Sequence, residues 1–520
     1  MLKATLVRVE APCYSVKSES TARAWNRSWK DETAFHNNVT KFGEGRDAVG
    51  DPHATESSAI YYGYVASKLV ANRRSVLKGV MLPWFERRRT PWEYGCVFIT
   101  IELCVGVWRL LSHGMYHAQL VRLHDILHVE MMMCISSVLM FKRFVQVLKG
   151  QSRRVRYALR ATLIVFIILS HISWTIFYLY IPDESMIAII CFICLATYLH
   201  VACFLVLFCV IEFIAIRVPL PSYLATFLRC KDKNTALCVF LSAFFVLTGL
   251  AVTRFSPVVR RVDVIIEGLP PSFNDFSIAL LTDVHIGPTV GRERIRRIVS
   301  LTNSLQPNAV AIAGDLVDGF INRDANNALP LADLRSKYGT FYVTGNHEYY
   351  HSDVDEWLKF FTTSLNMTVL RNSNVRLYSN QGDDYLCMAG VDDFITEKLR
   401  IIDHHMDAAK ALQGCGINAP TILLVHQPNG ADKIIRSIDN ERIDLILAGH
   451  THGGQFYIFW PFAYLKNAYL YGLYKVKGSS TQIYVSPGVN YWGPPVKMIN
   501  LCEIPVIRLK ISNPSSRSKS

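Results

Sequence analysis

Read for its alternation of apolar and polar positions, the chain changes character twice. Residues 1–75 are polar and mixed, with no sustained period, and predict a disordered tail reaching to about residue 90. Apolar runs follow at 92–111, 126–141, 161–181, 186–211 and 236–252. Four of them are 17 to 26 residues long, close to the roughly 20 that cross a ~30 Å hydrocarbon layer as helix. The run 126–141 (ILHVEMMMCISSVLMF) is shorter and holds His128 and Glu130, so it is the weakest of five expected spans. From about residue 262 the runs become short and end in Gly, Asp, Asn or His. They are FSIALLTDVHIG (276–287), AVAIAGDLVDG (309–319), TFYVTGNHEYY (340–350), TILLVHQP (421–428), IDLILAGHTHGG (443–454) and QIYVSPGV (482–489). Such continuous runs read as buried strands. ERIRRIVSLTNSL (293–305) and DVDEWLKFFTTSL (353–365) read as helices between them, which predicts a layered α/β domain over 262–510.

Charge separates the two halves. Of 520 residues, 1–260 hold 30 Lys/Arg against 17 Asp/Glu, while 261–520 hold 25 of each. The basic excess therefore sits with the apolar runs, as the positive-inside rule predicts, and a nucleic-acid binder is demoted. Arg87, Arg88 and Arg89 precede the first run. A basic series from Lys142 to Arg160 follows the second, and Arg217, Arg229, Lys231 and Lys233 follow the fourth; the link after the third is PDES. Five crossings with a cytosolic amino terminus satisfy every loop and put the α/β domain on the lumenal or extracellular side. The sequon at Asn366 is then open to glycosylation, and those at Asn26 and Asn38 are not.

The cysteines add little. Cys191 and Cys194 form a CxxC with no second pair and read as span residues; only Cys387, Cys415 and Cys502 lie beyond residue 260, and no disulfide framework is legible. The polar residues of the spans, Glu102, His171, His200 and Glu212, form no series, so helix–helix hydrogen bonds are expected rather than an ion path.

The chemistry sits at the ends of the predicted strands. Asp283 and His285 follow the first, Asp315 the second, Asn346 and His347 the third, His426 the fourth, and His450 and His452 the fifth. Strand ends are where open α/β sheets bind ligands. With period-two alternation, Asp283 and His285 should project to one side, as should His450 and His452. Nitrogen and oxygen donors without thiolate suit Zn, Fe, Mn or Ni. Seven donors exceed the coordination of one ion and suggest two with a shared carboxylate, an arrangement that places ions ~3.5–4 Å apart. Gly314, Gly345 and Gly449 precede ligands and are expected to allow tight turns. His351, His404 and His405 match no ligand position, and Glu348 is expected to orient its neighbours.

The ordered set DxH, GDxxD, GNHE, a lone His after an apolar strand and GHTHGG resembles the calcineurin-like metallophosphoesterase superfamily over roughly 275–500. The resemblance implies a four-layer α/β/β/α domain, here preceded by an α-helical multi-span membrane region. It implies that Asp283, His285 and His452 bind a first metal, that Asp315 bridges, and that Asn346, His426 and His450 bind a second. His347 would protonate the leaving oxygen or stabilise charge at the phosphoryl group, and the nucleophile would be a metal-bridging hydroxide. In purple acid phosphatases a Tyr ligand follows the bridging Asp by three residues; this chain has Asp318 there, so no Tyr-to-Fe site is expected. The implied substrate is a phosphate ester, with phosphoproteins, nucleotides and lipid-linked phosphates all open. The rival reading is a catalytically silent metal-binding ectodomain that binds phosphorylated ligands. The aromatic stretch 456–474 offers a greasy substrate rim, a bilayer-facing surface or a hairpin packed on the sheet.

Overall fold

The computed structural model describes residues 91–176, 185–351, 354–380, 382–438, 441–499 and 501–512. The polar tail, Arg87 to Arg89, the sequons at Asn26 and Asn38, and most of the PDES link lie outside the described residues. Residues 93–520 gather into one compact unit.

Among the described residues, six helices precede the strands: α1 (Pro91–Leu111), α2 (Gly114–Val147), α3 (Arg153–Ile176), α4 (Met186–Arg217), α5 (Ser222–Leu228) and α6 (Lys231–Arg254). Among the described residues, four helical segments are long and apolar enough to cross a membrane: Tyr116–Gly150, Arg153–Ile176, Met186–Arg217 and Lys231–Arg254. The weak run 126–141 is the apolar middle of α2. That helix has 34 residues, about 51 Å at 1.5 Å per residue, so no thinning of the bilayer is needed for it to cross.

Polar side chains in the bundle pair across helices. The Glu102 carboxylate lies 2.9 Å from His124 Nε2. His171 meets Glu130 through Nδ1 and Ser137 through Nε2. His200 Nδ1 instead donates within α4, to the Ala196 carbonyl. Glu212 receives both terminal nitrogens of Arg143, with Nη1 at 2.9 Å, and Asn234 Nδ2 at 2.8 Å, while Arg143 Nε donates to Thr235 at 2.8 Å. Cys191 is buried in the apolar centre of the bundle, and Cys191 and Cys194 are both free.

Twelve strands follow among the described residues. They are β1 (Val258–Ile266), β2 (Ser277–Leu281), β3 (Ala309–Ala313), β4 (Thr340–Val343), β5 (Met367–Val369), β6 (Ser373–Tyr378), β7 (Tyr385–Gly390), β8 (Thr421–Leu424), β9 (Leu445–Ala448), β10 (Gly472–Lys475), β11 (Gln482–Val485) and β12 (Glu503–Ile511). They form two six-stranded sheets, ordered β1-β12-β2-β3-β4-β5 and β10-β11-β9-β8-β7-β6. The first sheet is parallel from β2 to β5, and the second along β7, β8, β9 and β11. Period-two alternation assigns the faces: Ile278 and Leu280 enter the core between the sheets with Leu386, Ile422 and Leu445, while Ala279 and Leu281 face the helices outside. Ile295 and Ile298 of Arg292–Ser304 and Trp357 and Phe361 of Val354–Thr363 cover the first sheet; Ala431 and Ile434 of Pro428–Ser437 cover the second. The result is the four-layer α/β/β/α domain expected.

Two features depart from the sequence reading. Cys387 and Cys415 form a disulfide, with Cα atoms 5.4 Å apart, across 28 residues of chain. The helical half is also built into the α/β domain. Ala118 and Val121 of α2 belong to the same apolar core as Ile286 and Trp357. On α6, Gly249 approaches so closely that a Cβ there would lie 2.4 Å from Val496, and Thr253 Oγ1 donates to the Pro495 carbonyl at 2.6 Å.

The Arg143–Glu212 pair gives the first prediction. Both residues are buried, so Glu212→Ala leaves an uncompensated guanidinium, which costs about 3–5 kcal/mol. Thermal unfolding of the detergent-solubilised chain should show a clear drop in midpoint for Glu212→Ala and a smaller one for Glu212→Gln. Equal midpoints for wild type and Glu212→Ala would remove this pair from the bundle's stabilising contacts.

Candidate metal centre

All eight residues expected to carry chemistry lie just beyond the carboxy ends of β2, β3, β4, β8 and β9, and they meet in one cluster. The reason differs from strand alternation. β2 stops at Leu281 and β9 at Ala448, so the DxH and HxH pairs lie outside the pleat. Instead Asp283, His285, Asp315, His450 and His452 all take left-handed backbone, with φ of 54°, 53°, 52°, 72° and 49°. Each such non-glycine residue costs on the order of 1–3 kcal/mol, and the cost is met only where the surroundings over-determine it. The left-handed turns bring Asp283 and His285 to one point. The three glycines act in two ways: Gly314 has φ 81°, whereas Gly345 and Gly449 are needed for space. A Cβ on Gly345 would lie 2.2 Å from Asp315 Oδ1, and one on Gly449 would lie 1.9 Å from Thr282 Oγ1.

The donors fall into overlapping groups. Asp283, His285 and His452 bring one donor atom each within 4.8 Å of one another, as do Asp315, His426 and His450, and as do His285, Asp315 and His347. Asp315 thus belongs to both sides of the cluster. His452 Nε2 lies 3.3 Å from Asp283 Oδ1 and 2.9 Å from His285 Nε2. His426 Nε2 lies 3.0 Å from Asp315 Oδ2 and 3.2 Å from Asn346 Oδ1. On two of these rings the far nitrogen is occupied: His426 Nδ1 donates to the Ala313 carbonyl at 2.7 Å, and His285 Nδ1 to Asp318 Oδ1 at 2.8 Å. Those bonds orient both rings with Nε2 inward, the usual outer support of a metal-binding histidine. Nε2 atoms converging on carboxylate and amide oxygens fit a divalent cation.

The electrostatics agree. Burial works against ionising Asp283, Asp315 and Asp318, yet the surrounding imidazoles hold all three below the usual carboxylate range. Burial also opposes charging His285, but Asp318, Asp283 and Asp315 push it up to about 10; Asp315 does the same to His426, which is raised well above its ordinary value. By contrast, burial beside His426 lowers His450 to about 4, and burial lowers His452 well below its ordinary value. The buried carboxylates thus draw positive charge onto His285 and His426, charge that a divalent cation would replace, beside His450 and His452, which stay neutral.

Three further residues shape the site. Asp318 Oδ1 also lies 2.6 Å from His347 Nδ1, off the line of a hydrogen bond, so one carboxylate backs both His285 and His347. The position was noticed only as a departure from a Tyr ligand; the second Asp of GDxxD was the signal. Glu348 does orient its neighbours: its carboxylate accepts from the backbone N–H groups of Gly345 (2.7 Å), Leu316 (2.6 Å), Val317 (3.1 Å) and Asp315 (3.2 Å). Lys497 is fully buried and donates to the carbonyls of Pro487 (2.6 Å) and Asn490, fixing the loop whose Gly488 abuts Asp283. Nothing in the sequence marks it. His347 is walled by Tyr350 and Trp492, with ring centroids at 5.2 and 5.4 Å. His404 is buried beside Tyr349, and His405 is exposed; neither joins the cluster.

The sequence profile of calcineurin-like phosphoesterases matches residues 276–454, the segment that carries every one of these donors. A Caenorhabditis elegans protein carrying the metallophosphoesterase name is 36% identical over 451 residues, covering 78% of this chain and 93% of the relative. A Bos taurus relative named transmembrane protein with metallophosphoesterase domain is 38% identical, over 65% of this chain and 78% of its own length. A Danio rerio relative of the same name is 33% identical, over 76% and 90%. The chain belongs to the calcineurin-like metallophosphoesterase family, among relatives named transmembrane protein with metallophosphoesterase domain.

Proposed function

We propose that the chain is a membrane-anchored phosphoesterase with a dinuclear metal centre and an extracytoplasmic catalytic domain. The observation that carries the reading is that Asp315 belongs to donor groups on both sides of one buried cluster. Asp283, His285 and His452 would hold one ion and Asn346, His426 and His450 a second, with Asp315 the donor that both groups would share. The ions are divalent transition metals of the Mn, Zn, Fe or Ni kind. When bound, they supply an activated water and neutralise charge on the phosphoryl group. The chain supplies the rest. Asp318 holds His347 with its Nδ1 turned back and its Nε2 towards the cluster, 3.9 Å from Asp315 Oδ2. From there His347 donates a proton to the leaving oxygen. Tyr350 and Trp492 keep water from its flanks. A phosphate-release screen of the metal-loaded full-length chain against phosphoproteins, nucleotides and lipid phosphates tests the activity. The whole chain is required because α2 contributes to the domain's core.

The side of the membrane is supported by where the helix ends lie. The start of α2, the end of α3, the start of α4 and the end of α6 all border the α/β domain: Val121, Trp174, Phe192 and Gly249 touch it or line a cavity shared with it. The opposite ends carry Lys149, Arg153, Arg154, Arg217, Arg229 and Lys231. Basic loops on the face away from the domain favour a cytosolic position for that face. The Cys387–Cys415 disulfide suits an oxidising compartment.

Three outcomes test this reading. Asp315→Asn should bind neither ion while His285→Ala chiefly loses the first; two retained ions in Asp315→Asn, by elemental analysis, would remove the bridge. His347→Ala should keep its metals and lose roughly 10²–10⁴ in turnover, the range for a general acid. The loss should shrink for good leaving groups, and Asp318→Asn should lose about 10–100-fold through its support of His285 and His347. In sealed vesicles with the native orientation, protease added on the cytosolic side should spare the α/β domain. Asn366, which is exposed, should carry a glycan that glycosidase removes and Asn366→Gln lacks. Digestion of the domain from the cytosolic side would reverse the topology.

A further inference from the structure

Beside the metal centre lies an apolar cavity of about 350 Å³, within the ~300–1,000 Å³ of ordinary ligand pockets. One wall comes from the helical bundle: Trp174 of α3 with Phe192, Leu195 and Leu199 of α4. The other comes from the α/β domain: His452 itself, Phe456, Phe459 and the 492–494 segment that follows the centre. The cavity is continuous with a proposed metal ligand at one end. At its rim stands Val129 of α2, which is 36% exposed, so the cavity meets the outer surface of the bundle. Arg122, about two turns earlier on α2, lies over the rings of Tyr350 and Trp492 at 5.0 and 5.8 Å. Its Nε has no hydrogen-bond partner among the described residues. A cation from the bundle is thus held against the same two rings that wall His347.

We infer that the substrate is a membrane lipid carrying a phosphate ester, its head at the metal centre and its hydrocarbon chain in this cavity. The inference rests on the phosphoesterase reading and narrows its substrate. Nucleotides and phosphopeptides would have to leave amide, hydroxyl or charged groups unpaired against Phe192, Leu195 and Phe456, which is unfavourable. A hydrocarbon chain has no such groups, and it reaches Val129 from a bilayer beside the bundle without crossing water. Arg122 meets the anionic head as the chain enters. Hydrolysis adds the water oxygen to phosphorus, breaks the ester P–O bond and sends one proton to the leaving oxygen, so the chain-bearing product stays in the apolar phase.

Alkylphosphonates, whose C–P bond resists hydrolysis, separate chain from head. Methylphosphonate and octylphosphonate are compared by equilibrium dialysis against the metal-loaded full-length chain in lipid nanodiscs, with empty nanodiscs subtracted. Each methylene moved from water into the cavity is worth about fourfold in Kd, at ~0.8 kcal/mol per CH₂. Octylphosphonate should therefore bind at least ~100-fold more tightly than methylphosphonate, allowing for partial occupation of the cavity. Leu199→Trp, which fills the cavity, should return the two to within about threefold at an unchanged unfolding midpoint. Equal binding of both phosphonates by a wild type that releases phosphate from p-nitrophenyl phosphate overturns the lipid substrate and leaves the phosphoesterase reading intact. A metal-loaded wild type that binds neither phosphonate and releases no phosphate overturns both.

Discussion

The site depends on one buried carboxylate that faces away from it. Glu348 gathers backbone N–H groups from Asp315, Leu316 and Val317 after β3 and from Gly345 after β4. These donors would otherwise be orphans at the ends of two parallel strands, and hydrogen bonds to an ionised acceptor are worth about 1.5–3 kcal/mol each. Burial and, after it, the neighbouring Asp315 raise the Glu348 pKa to about 7, against the pull of its backbone donors. Through Glu348, Asp315 is held left-handed and its carboxylate is turned towards His426 rather than out of the cleft. The Gly345 contact with Asp315 leaves no room for a side chain. Strain at Asp283, His285, His450 and His452 is carried the same way, by the closeness of the strand-end turns to one another.

Much of this was legible, and the limits have physical causes. The strands that bear ligands were visible because both their faces are buried, which makes continuous apolar runs with abrupt polar ends. β11 was visible as well, in QIYVSPGV; the other strands were not. At the sheet edges β10 alternates half-buried with exposed positions and β6 is half-buried over its first three residues with only Leu377 buried, and β12 joins a parallel partner to an antiparallel one across long sequence separations. The clustered residues are legible as residue types, but strand period does not give their direction: φ, not pleat, aims Asp283 and His285. The Cys387–Cys415 bridge joins β7 to the loop before β8, and a separation of 28 residues says nothing until the sheet is known. Lys497, an amine buried against carbonyls ten and seven residues away, has no local pattern to betray it.

The joint between the two halves is where sequence reading is weakest and chemistry densest. Apolar periodicity identifies a span but gives no face, because α4 is hydrophobic all round. Its buried face is decided by partners: Tyr198 towards α2, where it bonds the Met133 carbonyl at 2.6 Å, and His200 towards Phe456 of the catalytic half. Residues that look like anchor therefore serve as wall. The same helices use polar pairs at one end, Arg143 with Glu212, and aromatic contacts at the other, Trp174 with Trp492. The bundle's buried ion pair thus lies at the end away from the site, and rings wall the cavity that borders His452, with the Arg122 guanidinium over one of them, Trp492.

That division explains why the α/β domain does not end where its sheets end. A catalytic domain tethered by a linker would place its cleft at a variable height above the membrane. Here α6 passes into β1 through only three residues, between Arg254 and Val258. Thr253 and Gly249 bind the Pro495–Lys497 segment directly. Lys497 in turn holds Pro487 and Asn490, and Gly488 beside them abuts Asp283. A continuous chain of contacts thus runs from the last turn of α6 to a proposed metal ligand. Displacing that turn would shift the Asp283 loop against its left-handed backbone, so the height and tilt of the cleft over the bundle are set by the same residues that shape the centre.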